Sequence, residues 1–163
     1  MTPPDISRRS VLTLTVGTVL AVAGGCGVTA SVPTQQRQIV CRHQQHHDVY
    51  ATLPAIDGTT ISLSWAHSIE LTPWTDIFTV TPAGLVLTQT RFSSYGAGMP
   101  AGDQGDLRYE GNQVVIDNID RPFDAIRWIH SHRAQYRVLI DHDPQRIDAK
   151  QLPDHQRLEI VLI

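Results

Sequence analysis

"TTISLSW", residues 59–65, alternates strictly: Ile61, Leu63 and Trp65 fall on one face of an extended chain, and Thr60, Ser62 and Ser64 on the other. That period of two is the signature of a half-buried β-strand. "IFTVT" (77–81) and "GLVLTQTRF" (84–92) carry the pattern on, joined through Pro82, Ala83 and Gly84. Two strands across so short a turn predict a hairpin. Further strands are predicted in "QVVIDNI" (113–119), "FDAIRWIH" (123–130), "QYRVLID" (135–141) and "RLEIVLI" (157–163). "DNIDRP" (117–122) and "DHDP" (141–144) read as turns, and "PQRIDAKQL" (144–152) as a segment with room for one helical turn. About seven or eight mostly antiparallel strands make residues 50–163 an all-β domain, a single β-sandwich or a partly closed barrel.

Between the predicted strands lies "SSYGAGMPAGDQGDLRYEGN", residues 93–112, with five glycines and no period. A loop this long is uncommon inside a compact domain and points to a working surface.

The N-terminus has a different character. "SRRSVLTLTVGTVLAVAGGC" (7–26) runs from Arg8 and Arg9 through an uncharged apolar stretch to small residues and Cys26. That is the order of a signal peptide. The apolar part covers residues 11–25, short of the roughly 20 residues that span a bilayer. "VAGGC" (22–26) resembles a bacterial lipobox whose cysteine becomes the lipidated first residue, and "SRRSVL" (7–12) resembles a twin-arginine export motif. The expected organisation is a signal peptide over 1–25, a lipid anchor at Cys26, a tether over 26–49 and the β-domain over 50–163. The mature chain is then extracytoplasmic. Without residues 1–25 it holds 11 basic and 15 acidic groups, a formal charge of −4, which argues against a nucleic-acid partner. Cys41 remains alone, so no internal disulfide is expected.

The residues that could ligate a metal form no complete set. His43, His46 and His47 accompany Cys41 in "IVCRHQQHHDVY" (39–50), but no four-ligand set is assured. Asp103, Asp106, Asp141 and Asp143 lack the spacing of a calcium loop and suit turns. His130 and His132 share a strand face without a third ligand. No metal and no cofactor are expected.

Catalysis is not expected either. "LSWAHSIELTPWTDIF" (63–78) holds His67, Ser68 and Glu70, parts of a nucleophilic triad on paper. On a strand, His67 and Ser68 point to opposite faces, and no Gly-x-Ser-x-Gly elbow occurs. Continued alternation puts His67 inward beside Trp65 as a buried, hydrogen-bonded histidine, with Pro73 ending the strand and Trp74 starting a turn. Glu70, on the opposite parity, is placed either to face solvent or to pair with Arg91 of the next hairpin.

"WAHSIELTPWTDIF" (65–78) followed by "LVLTQTRFSSYGAGMP" (85–100) resembles the domain-of-unknown-function 1850 family of bacterial and archaeal proteins. The residues that carry the likeness are Trp65, His67, Ser68, Glu70, Pro73, Trp74, Asp76, Arg91, Phe92, Ser94, Tyr95, Gly96, Ala97, Gly98 and Pro100. "NIDRPF" (118–123) and "YRVLID" (136–141) extend it, so the likeness covers roughly residues 60–141. Asp76 departs from the family's pattern, which has glutamate there. The resemblance implies no catalytic role. It implies a genomic and functional association with TRAP-type (tripartite ATP-independent periplasmic) carriers of the TAXI type. The function expected is therefore a membrane-anchored accessory protein that acts by contact with the carrier's membrane subunit or its solute-binding protein. The alternative is an independent small-ligand-binding or metal-binding lipoprotein. The expected binding surface comprises Trp65, His67, Glu70, Trp74, Arg91, Tyr95, Gly96, Gly98 and Pro100, with the glycine loop folded beside the Trp65 to Trp74 segment. On that reading, alanine at Trp74 and Tyr95 weakens binding and leaves the thermal midpoint nearly unchanged.

Overall fold

The computed structural model describes residues 37–93 and 105–163. Cys26, the signal segment, Tyr95, Gly96, Gly98, Pro100 and Asp103 lie outside the described residues.

Two antiparallel sheets form a β-sandwich, and neither closes into a barrel. The smaller sheet has the order β2 (Val49–Ala55), β1 (Arg37–His43), β11 (Arg157–Leu162), β9 (Ala125–Ile129). The larger runs β10 (Arg137–Ile140), β3 (Thr60–Ala66), β4 (Pro73–Thr81), β5 (Gly84–Phe92), β7 (Gln113–Asp117), β6 (Asp106–Glu110). A short β8 (Arg121–Phe123) pairs with the first half of β5, while β7 takes its second half. After β8 the chain crosses at Asp124 into β9 of the other sheet, so one run of sequence, predicted as one strand, serves both layers.

The alternation in β3 does what its sequence dictates. Ile61 and Leu63 enter the core with Phe78 and Val80 of β4, Leu85 and Leu87 of β5, and Val138 and Ile140 of β10. Ile39 and Cys41 of β1, Ile126 and Trp128 of β9, and Leu158 and Ile160 of β11 meet them from the smaller sheet. The β4–β5 hairpin forms at Pro82 and Ala83 as expected. A bulge between Ile77 and Phe78 leaves Thr88 as the extra residue of β5. Its hydroxyl donates to the Ile77 carbonyl at 3.2 Å and meets Thr79 Oγ1 at 3.1 Å, so the kink keeps its polar groups partnered.

Four expectations are corrected. Residues 37–49, assigned to the tether, instead supply β1 and the turn into β2, because Ile39, Cys41 and His43 face inward and pair through β1 with both β2 and β11. The loop over 93–112 contains β6, which pairs with β7 from Asp106 to Glu110. Gly105 opens that strand at φ +107°, where a Cβ would lie 2.2 Å from the Asp117 carbonyl oxygen, a position only glycine fills. Pro73 begins β4 rather than ending β3, where its missing N–H suits a strand's first residue. Residues 144–152 form successive turns without a helix, and they seat Ile147, Ala149 and Leu152 in the core. Eleven strands form in all among the described residues, more than the seven or eight expected.

Candidate functional site

The inner face of the larger sheet carries a row of rings at one end. Register places Trp65 opposite Trp74 and Trp74 opposite Phe92. Trp74 stacks on Phe92 with centroids 4.7 Å apart and on Trp65 at 5.9 Å. Tyr136 continues the row from Trp65 at 6.0 Å and approaches Trp128 of the smaller sheet at 6.4 Å. Such offset stacking adds stability beyond area burial and fixes ring orientation.

His67 follows β3 as the first residue of a tight hairpin end. Its N–H donates to the Thr72 carbonyl at 2.8 Å, and its own carbonyl accepts from Leu71 N–H at 2.9 Å. The imidazole is half-buried, stacks on Trp74 at 5.7 Å, and offers Nδ1 to the Glu70 N–H at 3.4 Å. The expected inward, hydrogen-bonded histidine is thus partly realised, at the rim rather than within the core. Ser68 points to solvent beyond it.

At the tip, Ile69 and Leu71 are 70% and 79% exposed. Leu71 adopts φ +53°, a left-handed conformation that a leucine rarely takes. The turn's hydrogen bonds hold it there, so the two aliphatic side chains are presented on a fixed frame.

Asp76 completes the row's surroundings. It faces inward between Trp74 and Phe78, opposite Leu63 and Thr90. Oδ1 accepts the Trp74 Nε1–H at 3.0 Å and the Thr90 hydroxyl at 2.6 Å. Burial holds this carboxyl above its ordinary pKa, against the pull of those two hydrogen bonds and of Arg121.

Of the expected surface, Trp65, His67 and Trp74 come together, with Glu70 in the adjoining turn. Arg91 does not join them. It points from the opposite face of β5, level with Thr75, and its partners are Gln89 and Glu110. Of the two placements open to Glu70, the solvent-facing one forms, and Arg91 pairs instead with Glu110 at 3.2 Å. Asp76, Thr90 and Phe92 were not anticipated as a group. In "WTDIF", Asp76 shares strand parity with Trp74 and Phe78, and an acid on the apolar parity of a strand is the sign that would have found it.

The family profile of a domain of unknown function, DUF1850, matches residues 61–146. The chain belongs to that family. No curated protein and no solved structure matches the chain. The DUF1850 segment spans nearly all of the larger sheet together with β9, while β1, β2 and β11, which close the core, lie outside it. The aromatic row, Asp76 and the hairpin tip all fall inside.

Three of the carboxylates singled out in this DUF1850 protein have structural work. Asp141 Oδ1 accepts the Thr60 N–H at 2.9 Å and Asp143 Oδ1 the Gln145 N–H at 2.8 Å, while Asp106 binds the Asn118 amide at 2.7 Å. Among the described residues no three His, Cys, Asp or Glu side chains converge as metal ligands would. Burial pushes the Cys41 thiol up to about 12, so it stays protonated at neutral pH.

His130 is 1% exposed, and Trp128 Nε1–H donates to its Nδ1 at 3.2 Å. That bond fixes the neutral ring with its proton on Nε2, which is buried without a hydrogen-bond partner among the described residues. Burial first, then the nearby His132, lowers the His130 pKa, with the Ala149 carbonyl and Asp154 working the other way. The unfolded chain therefore takes up a proton near pH ~6.5 that the folded chain refuses. Stability should be complete above that value and fall as pH drops below it, by at most about 1.4 kcal/mol per pH unit, until the folded ring titrates. Urea unfolding across this window should show the slope, and His130→Phe should flatten it. An equal slope in the variant would assign the acid sensitivity elsewhere.

Proposed function

We propose that this β-sandwich is an extracytoplasmic accessory of a TRAP-type solute carrier of the TAXI type. In this reading it is anchored through Cys26 and works without catalysis, by contact with the carrier's membrane subunit or its solute-binding protein. The observation that carries the proposal is the hairpin tip between β3 and β4. Ile69 and Leu71 stand in solvent on a hydrogen-bonded frame inside the family-matched segment. Exposed aliphatic side chains on a preordered support suit insertion into an apolar recess of a partner, because little conformational entropy remains to be lost on binding. At the base of the tip His67 stacks on Trp74, which stacks in turn on Trp65.

Affinity capture of the tagged chain from native membranes should recover a TRAP component. Ile69→Ser combined with Leu71→Ser should abolish recovery with little change in thermal midpoint, since neither side chain packs in the core. Failure of the unmodified chain to recover any such component, under conditions that hold the carrier's own subunits together, overturns the proposal.

A further inference from the structure

Among the described residues β2, β9, β10 and β6 end the two sheets. β2 carries Pro54, which lacks an N–H, and β10 has four residues before the chain folds back from Asp143 onto Ile140. β9 buries three of its five residues. β6 has none of these guards: it pairs with β7 alone, and all five of its residues are exposed. The turn at Gly111 and Asn112 leaves Glu110 facing Gln113, the hydrogen-bonded pair that closes a two-residue hairpin. The peptide groups of Asp106, Arg108 and Glu110 therefore bond to β7, and those of Leu107 and Tyr109 point outward from the edge. Side chains alternate on the same strand. Leu107 and Tyr109, 39% and 68% exposed, continue the apolar face of Ile116 and Val114, while Asp106, Arg108 and Glu110 share the other face. There Arg91, Glu110, Arg108 and Asp117 form one chain of ion pairs, alternating in sign.

We infer that β6 is a self-association edge, which takes β6 of a second copy of this chain antiparallel across a two-fold axis at Tyr109. Charge and backbone select that register. Residues that stand opposite each other in an antiparallel pair share a face, so the axis passes through Leu107, Arg108 or Tyr109. Centred on Arg108, the pairing sets Arg108 against Arg108 and Asp106 against Glu110, like charges throughout. Centred on Leu107, it draws Gly105 into the ladder, where φ +107° is far from extended backbone. Centred on Tyr109, it sets each Arg108 opposite the other copy's Glu110. The alternation of charge then continues across the seam, and the two exposed Tyr109 rings meet as a cross-strand aromatic pair. The outward peptide groups of Tyr109 bond to each other in the same arrangement. Five residues on each side make a small contact, so the association is weaker than that of a stable dimer. It is independent of carrier contact, which uses the hairpin tip between β3 and β4.

The test is sedimentation equilibrium of the full chain, with Cys26→Ser throughout so that the buried Cys41 is the one native thiol left. A monomer–dimer equilibrium is expected, with a dissociation constant on the order of 0.1–1 mM. Tyr109→Asp should weaken it at least about tenfold, and so should Arg108→Glu, which sets carboxylates opposite each other. Both positions are exposed, so thermal midpoints near the parent's separate lost association from lost folding. Oxidation of Tyr109→Cys should give a symmetric disulfide, because the Cα atoms of that opposed pair lie about 5.5 Å apart, whereas Arg108→Cys should give little. A chain that stays monomeric at about 1 mM overturns the assignment and leaves the edge to a foreign strand. An association that either charged substitution leaves unchanged, or a disulfide captured through Arg108→Cys rather than Tyr109→Cys, overturns it as well.

Discussion

Replacing Trp74 with alanine is expected to lower the thermal midpoint by roughly 10–15 °C, the consequence of about 3–4 kcal/mol lost in a domain of this size. The figure follows from three losses at one position. The ring stacks on Phe92 at 4.7 Å and on Trp65 at 5.9 Å, so its removal opens the middle of the aromatic row. His67, stacked on its edge of the row at 5.7 Å, loses the support that fixes the hairpin end. Asp76 loses one of the two donors that hold Oδ1, and an under-bonded carboxylate facing the core adds about 1–3 kcal/mol within that total. Trp74→Phe separates these effects: it keeps a ring in the row and deletes only the N–H, so it should cost about 1–2 kcal/mol. Thermal unfolding of the three proteins checks both values. A midpoint unchanged in Trp74→Ala would mean the row adds no stability, which is what the sequence alone suggested for a surface anchor.

What could be read in advance follows from where the information lay. β3, the β4–β5 hairpin, β7 and β11 announce themselves because each has at least two consecutive inward positions filled by large apolar residues. β1 does not. Its inward residues Ile39, Cys41 and His43 stand among Gln, Arg and His whose outward burial is decided by partners more than a hundred residues away, as with Arg42 and Glu159. β6 is hidden for a different reason: its alternation rests on Leu107 and Tyr109 alone, both exposed, and so short a period does not stand out from the glycine-rich chain before it. The start of β4 is hidden because Pro73 reads as a terminator, and the inward parity of Asp76 is visible only once Trp74 belongs to the same strand. The aromatic cluster was therefore half legible. Trp65 and His67 could be placed by parity along β3, but Phe92, Thr90 and Tyr136 reach them only through strand register, which a single sequence does not encode locally.

The family-matched segment shows the same dependence on distant strands. Residues 61–146 hold the inward row of Ile61, Leu63, Phe78 and Val80, yet the residues that cover it, Ile39, Cys41, Leu158 and Ile160, come from both sides of the match. The site thus rests on a support supplied by chain outside the recognisable motif.

The support has its own ionic lock, and its removal should be as severe as loss of Trp74. Glu159 lies on the outer face of β11, 4% exposed, with register setting Arg42 on one side and Arg127 on the other. Arg42 Nε donates to Oε1 at 2.8 Å and Arg127 Nε to Oε2 at 3.2 Å, while Asp124 holds the far end of Arg127 at 2.8 and 2.9 Å. Around them Val40, Ala125 and Val161 form a small buried apolar cluster. The arrangement is asymmetric: the carboxylate is out of water, whereas both arginines keep part of their surface in it. Either Arg42→Met or Arg127→Met alone leaves Glu159 one guanidinium and should cost about 1–2 kcal/mol. The double substitution strands a buried charge and should cost about 3–5 kcal/mol, more than the two single losses combined when the remaining arginine is the last partner. Adding Glu159→Met to the double variant should recover most of that loss, because an apolar side chain among Val40, Ala125 and Val161 needs no partner. Urea unfolding of the set measures the coupling. Strict additivity of the two arginine substitutions, or no recovery in the triple variant, would mean that water rather than the arginines satisfies Glu159.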